Sequence, residues 1–396
     1  MLARFARLAV AFGANVQPGQ IVSIGGSPGK EDLVRAIAAD AYRSGAKFVD
    51  LAWFDPWVKR ARIEHAADDT LEFVPPWYGE RVLALGREHA AIISLSGPVA
   101  PGLLDDLDPV RAGRDRLPSV RESGEVINRR EVNWTILPGP NQAWADLVHP
   151  DLEPDERLSR LEAQLVHVLR LDEEDPVAAW TRRADTLVEV AQRLTARGFD
   201  ALRYRGEDTD LTVGILPGMR WMAARFETAE GIQHMPNLPT EEVFTSPDPQ
   251  RVDGHVRSSK PLVLNDGTVV RDLRVEFAGG RVTNLESSTA QDTMRTIIEH
   301  DEGAARLGEV ALVDGEGRIG ALDTVFYDTL LDENAASHLA LGRGFMFLAP
   351  DEDTGAQLNV SDVHIDFMIG APDLEISGVT RDGDEVPVLI GGRWRI

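Results

Sequence analysis

Apolar positions in the first half of the chain follow two alternating rhythms. Short apolar runs bounded by glycine or charge, residues 21–26 (IVSIGG), 47–54 (KFVDLAWF) and 91–97 (AIISLSG), predict strands. Between them, residues 31–45 (EDLVRAIAADAYRSG, closed by Gly45) and 81–91 (RVLALGREHAA) carry apolar residues at helical spacing. Residues 121–140 read as a helix passing into a strand. In 150–200, Leu161, Leu165 and Leu169, then Leu187, Val190 and Leu194, mark two further helices. Leu2, Phe5, Leu8, Ala9 and Phe12 also recur at helical spacing around Arg4 and Arg7, so the N-terminus reads as an amphipathic helix and not as a signal peptide. Strands alternating with helices predict an α/β domain with a mostly parallel sheet.

From about residue 200 the period changes. Short strands with turn signals follow one another: ALRYRG (201–206), DLTVGI (210–215), DLRVEFAGGRV (272–282) and VALVDGEGRIG (310–320). Gly279-Gly280 between two such runs is a hairpin signal. One helix is expected from Asn334 to Leu341. The reading is therefore an α/β N-terminal domain over residues 1–197 and an α+β C-terminal domain with a mixed or antiparallel sheet over 198–396.

Four segments of the second half break the apolar pattern with chemistry-bearing residues. In SDVHIDFMIG (361–370), Val363, Ile365 and Phe367 alternate with His364, Asp366 and Met368, as in a half-buried strand. His364 and Asp366 then share a face, roughly 6–7 Å apart along the strand. A carboxylate buried there needs a cationic partner, unless the face is simply wet. Glu241 and Glu242 precede an apolar, turn-rich run, which a turn cap would also explain; Glu309 leads an apolar strand, where an exposed strand start would suffice. Asp332, Glu333 and Asn334 form a good helix N-terminal cluster, and His338 follows inside an apolar run as a core histidine could. On a helix, Glu333 and His338 stand about 500° apart, so they meet only if Glu333 lies at the helix start.

Composition narrows the choices. A chain of 396 residues has room for two or three domains with large cores. The net charge of −24, from 41 basic and 65 acidic residues, disfavours nucleic acid and anionic membranes as partners. There is no cysteine, which excludes disulfides, thiolate nucleophiles and cysteine-ligated metals and leaves His, Asp and Glu as ligands. No apolar run approaches the length of a membrane span. A cytoplasmic location is the expectation, and the sequon at Asn133 is taken as chance. Two nucleotide-site lookalikes fail. SIGGSPGKED (23–32) encloses three residues between Gly25 and Gly29 where a phosphate loop has four, and Glu31 follows Lys30 where Ser or Thr is needed. GEGRIG (315–320) has no βαβ unit around it and reads as a turn.

Taken together, NLPTEEVFTSP (237–247), RLGEVALV (306–313), DENAASHLALG (332–342) and HID (364–366) resemble, in order, the thermophilic aminopeptidase family, peptidase family M29 of the aminopeptidase T type. ANVQPGQ (14–20), WFDPW (53–57) and FVPPW (73–77) extend the likeness over nearly the whole chain. The resemblance implies a metal-dependent exopeptidase acting on short peptides, with two divalent ions (zinc, cobalt or manganese) in the C-terminal domain. By motif, the ligands would be Glu242, Glu309, Glu333, His338, His364 and Asp366. Glu242 is chosen over Glu241, which occupies a position where the family often has glycine. Four carboxylates and two neutral imidazoles carry four negative charges, which two divalent cations cancel, and Glu309 or Asp366 would bridge them. The likeness further implies a homodimer. It also implies a tyrosine seven residues after His338, where this chain has Phe345; Tyr327 is the nearest tyrosine in sequence. Phe345 therefore leaves three readings: an aminopeptidase releasing apolar or small N-terminal residues with Glu309 at the catalytic centre, a metal- or peptide-binding homologue with weak or no catalysis, and a two-metal hydrolase of another amide.

Overall fold

The computed structural model describes residues 1–115, 117–118, 120–264 and 268–396. Backbone contacts divide the chain into two compact units, residues 1–181 with 225–239, and residues 182–224 with 240–396. Residue 197 ends the long helix Pro176–Arg197, and the division falls inside that helix. Among the described residues, no helix is long and apolar enough to cross a membrane.

The main sheet of the first unit is built from β1 (Ile21–Gly26), β2 (Phe48–Trp53), β3 (Ala91–Ser96) and β4 (Asn133–Pro138), all parallel in the order β2-β1-β3-β4. Val22, Ile24 and Ile93 are fully buried, as expected for central strands covered on both faces. Helix Glu31–Arg43 buries Leu33, Val34, Ile37 and Ala41 along one stripe and places Glu31 and Asp32 in its first turn, where the dipole favours negative charge. Gly45 stops it in a left-handed conformation (φ 92°) that costs glycine nothing. The lookalike phosphate loop has a structural use. Lys30 is buried, and its Nζ donates to the carbonyls of Ser96 (2.6 Å) and Gly97 (2.9 Å) at the end of β3.

The second unit is built mainly from two larger antiparallel sheets. The larger uses β5 (Ala201–Gly206), β6 (Thr209–Gly214), β8 (Val252–Arg257), β9 (Arg274–Ala278), β10 (Arg281–Glu286), β14 (Glu375–Val379), β15 (Glu385–Ile390) and β16 (Arg393–Trp394), in the order β10-β9-β8-β6-β5-β14-β15-β16. The turn between β9 and β10 is Gly279-Gly280, both at positive φ. The smaller sheet has the order β13-β12-β11-β7, from β7 (Glu242–Thr245), β11 (Leu307–Val313), β12 (His338–Gly342) and β13 (His364–Met368). The parallel first sheet and separate antiparallel sheets agree with the fold class read from sequence.

The helix expected over Asn334–Leu341 is not formed. Instead a short helix, Thr329–Asp332, tightens into a turn at Glu333–Ala335, and His338–Gly342 is a central strand buried at every position. A short apolar run buried on both faces has no period to distinguish strand from helix. Its five residues and the two neighbouring strands decide for the sheet. The GEGRIG segment is a turn as expected: the Asp314 carboxylate accepts from the Glu316 amide at its start.

Ile24, fully buried in the middle of the parallel sheet, is expected to cost about 2–5 kcal/mol of unfolding free energy as Ile24→Ala. Val58, 68% exposed, should change it by less than about 0.5 kcal/mol as Val58→Ala. Denaturant titration of the two variants measures the contrast.

Candidate metal centre

Strand register gathers the expected ligands on one face of the small sheet. Asp366 lies opposite Ala340, and Ala340 opposite Glu309. One step along, His364 faces Gly342; on the other side, His338 faces Ala311, and Glu242 faces Val313. Directly opposed antiparallel residues share a face, so Glu242, Glu309, His338, His364 and Asp366 all project to the same side. The positions between them are Ala311, Ala340 and Gly342, whose small side chains leave a low floor that the longer acidic and imidazole groups reach across. Glu309 is set by an irregularity in β11, where the register shifts between Leu307 and Glu309. Gly308 at this shift admits no side chain: a Cβ would stand 2.2 Å from the Gly342 carbonyl oxygen and 2.3 Å from that of Arg343.

Two groups of ligand atoms result. In one, Glu242, Glu309 and His338 each offer an atom within 4.8 Å of the others. In the second, Glu309, His364 and Asp366 do the same, so Glu309 belongs to both. His338 Nε2 lies 3.2 Å from Glu242 Oε2. His364 Nε2 lies 3.1 Å from Glu309 Oε2 and 3.4 Å from Asp366 Oδ1. On each imidazole Nδ1 is turned to a main-chain carbonyl, His338 to Ala336 (3.1 Å) and His364 to Arg343 (3.0 Å). That pairing fixes ring orientation and presents Nε2 to the carboxylates, the arrangement used by histidine metal ligands.

The electrostatics of the cluster favour positive charge among its carboxylates. Burial raises the Glu309 carboxyl to about 7, with the charges of Asp366 and Glu242 adding to it. Burial, with Asp366 and Glu242 nearby, also holds Glu333 well above the ordinary range. Burial alone would depress both histidines, yet the surrounding carboxylates lift His338 to about 10 and His364 to about 11. Protons on imidazole here do the work that other positive charge would do. The donor set itself, six O and N groups with no sulfur, suits zinc, cobalt or manganese.

The remaining expected residues sit as follows. Glu333 lies on the turn after Thr329–Asp332, outside both three-atom groups but within the field of Glu242, Glu309, His338 and Asp366. Asp332 is no helix start. It accepts from the Phe326 amide (2.7 Å) and the Asp328 amide (3.2 Å), folding the chain back on itself. Glu309 is buried and not an exposed strand end. Phe345 packs its ring 5.3 Å from that of His364, 5.6 Å from Phe244 and 5.5 Å from Phe347. Arg183 and Asp314, which sequence reading does not single out, adjoin the site, and Asn334, expected in a helix cap, instead accepts from the Glu241 amide. Glu241 is fully buried and so demands a cation, but no spacing rule tells which of 41 basic residues provides it.

Comparison with known proteins gives the class. The family model of thermophilic metalloproteases (M29) matches residues 1–394. Aminopeptidase T of Thermus thermophilus is 37% identical over 401 aligned positions, covering 99% of this chain and 98% of that protein. Aminopeptidase AmpS of Bacillus subtilis is 35% identical, with 98% and 97% covered. The solved structure of wild-type AmpT from Thermus thermophilus matches with a TM-score of 0.93 at 36% identity, covering 100% of this chain and 99% of that one. The chain belongs to the thermophilic metalloprotease (M29) family.

Without metal, these groups predict a pH dependence. Glu309, raised from 4.5 to about 7, and Asp332, raised by burial from 3.8 to about 7, keep protons in the native state that the unfolded chain has released. Native stability therefore falls as pH rises through that window. His338 and His364, raised from 6.5, contribute stability below that value that is lost as pH climbs towards about 10 and about 11. All four have the same sign. The stripped protein should melt at steadily lower temperature between about pH 5 and about pH 9 in calorimetry, and a rising profile would contradict the charge arrangement.

Proposed function

We propose that the chain is a metallo-aminopeptidase that uses two divalent ions to release N-terminal residues from short peptides. The observation that carries this is the position of Glu309, shared by two groups of ligand atoms, each with its own histidine and second carboxylate. His338 and Glu242 would hold one ion, His364 and Asp366 the other, with Glu309 between them and Glu333 completing the set. Ions bound there would supply Lewis-acid polarisation of the scissile carbonyl and a nucleophilic water at neutral pH.

This chain's own residues do the rest. The main-chain carbonyls of Ala336 and Arg343 keep both imidazoles in one tautomer with Nε2 inward. Acidic surface charge, −24 over the chain, favours approach of the cationic amino terminus of a peptide and disfavours an N-blocked one. Beside His364, Phe345 together with Phe347 (42% exposed) and Met346 (62% exposed) offers an apolar wall to the first side chain of the substrate. An apolar N-terminal residue is the fit. The homodimer and cytoplasmic location implied by the family likeness belong to the same proposal.

A second reading is favoured by one observation. Phe345 has no hydroxyl, so it can donate no hydrogen bond to an oxyanion; a member of the family without strong catalysis would look like this.

Two tests separate these readings. An unblocked leucyl amide should be hydrolysed, the N-blocked form should not, and chelation should abolish turnover until metal is restored. Glu309→Gln should lower kcat/KM by at least about 10²-fold, since removing it disturbs both ion sites. No turnover with zinc, cobalt or manganese would defeat the enzyme reading, and turnover of the blocked amide would favour a hydrolase of another amide. In the second test, an efficient enzyme with Phe345 should gain little as Phe345→Tyr. A rise in kcat of about 10²-fold or more would show that this chain had lost a catalytic donor.

A further inference from the structure

We propose that Arg183 is a positioning residue for the metal centre, acting through a buried clamp on the segments that carry Glu242 and Glu333. This rests on the metal reading above and adds residues that lie outside the ligand set. Arg183, on the helix Pro176–Arg197, is buried with its side chain 5% exposed. Its Nε donates to Glu241 Oε2 (2.5 Å), and its two terminal nitrogens donate to the carboxylate of Asp314 at 3.0 and 2.8 Å. The forked guanidinium thereby joins two chain segments by three charge-assisted bonds. Trp394 Nε1 also donates to Asp314, and the Asp314 carboxylate accepts from the Glu316 amide.

Each clamped acid sits one residue from an end of the ligand sheet. Glu241 immediately precedes Glu242, the first residue of β7, and Asp314 immediately follows Val313, the last residue of β11. Glu242 and Val313 are themselves register partners. Arg183 therefore pins the open end of the β7–β11 pair, where a two-stranded edge would fray first. A third segment is tied to the same point. The Glu241 amide donates to Asn334 Oδ1 (2.7 Å), while Asn334 Nδ2 donates to the Leu330 carbonyl (3.0 Å) and reaches Glu333 Oε1 at 3.4 Å. Asn334 is fully buried. Hydrogen bonds thus link Arg183 to Glu241, Glu241 to Asn334 and Asn334 to Glu333, and the clamp sets where two of the four ligand carboxylates, Glu242 and Glu333, stand before any ion arrives.

Lysine in place of Arg183 keeps the charge but cannot make three bonds in a fork. Wild type and Arg183→Lys are titrated with Zn²⁺ against a chelating dye. Melting temperature of the stripped proteins and the separate kcat and KM values for a leucyl amide are recorded alongside. The expected result is about 10–100-fold weaker Zn²⁺ affinity, kcat lowered with KM little changed, and partial recovery of rate in excess metal. Unchanged affinity and kcat overturn the proposal, as does a drop in melting temperature with affinity intact, which is a structural role only. If Arg183→Lys fails to fold, Asn334→Ala decides the matter: it cuts the link to Glu333 while leaving the Arg183 bonds in place, and weakened Zn²⁺ binding supports the clamp while wild-type binding overturns it. Wild type that binds no Zn²⁺ defeats the metal reading and the clamp with it. Wild type that binds while both variants bind equally well defeats the clamp alone.

Discussion

Four carboxylates held together below the protein surface are the constraint around which the second unit is arranged. Burial, reinforced by the neighbouring carboxylates, raises the proton affinity of Glu309 and Glu333, and the cluster draws protons onto His338 and His364. Such a cluster is costly in a chain that gains nothing from it, since each buried charge without a partner loses several kcal/mol of solvation. The sheet accepts that cost with a definite geometry: small residues at Ala311, Ala340 and Gly342 form the floor, and the shift at Gly308 sets Glu309 between two histidine–carboxylate pairs. Divalent cations are the simplest charge that turns this repulsion into binding energy. Family membership and the donor chemistry agree on that point.

Much of the fold was legible because its signals are periodic. IVSIGG, KFVDLAWF and AIISLSG became parallel strands, and the Gly279-Gly280 turn became a hairpin. His364 and Asp366 were placed on one strand face by simple alternation, and the register shows them there. HLALG reads as helix from sequence because a strand buried on both faces has no period, and the preceding Asp-Glu-Asn looks like a helix cap when read alone. Asn334 in fact takes a main-chain amide from a residue 93 positions earlier. Contacts of that kind follow from tertiary register, which local pattern does not carry, and the partner of Glu241 was hidden for the same reason.

Phe345 stands beside His364 of the candidate metal centre. Its ring packs with those of Phe244 and Phe347 and lies 5.3 Å from that of His364, so the position is part of an apolar wall. In the proposed function a wall of this kind would favour an apolar substrate side chain beside the candidate metal centre and would offer no donor to a developing negative charge. Binding and turnover would then pull on the same residue in opposite directions.

The central claim is that Glu309 is shared between two ion sites. Metal content of the purified protein, measured after loading with zinc and dialysis, tests this most directly when wild type is set beside Glu309→Gln. Two ions per chain in wild type, with both sites weakened together in the variant, is the result the shared carboxylate predicts. A single ion per chain, or two ions that Glu309→Gln leaves undisturbed, would contradict it.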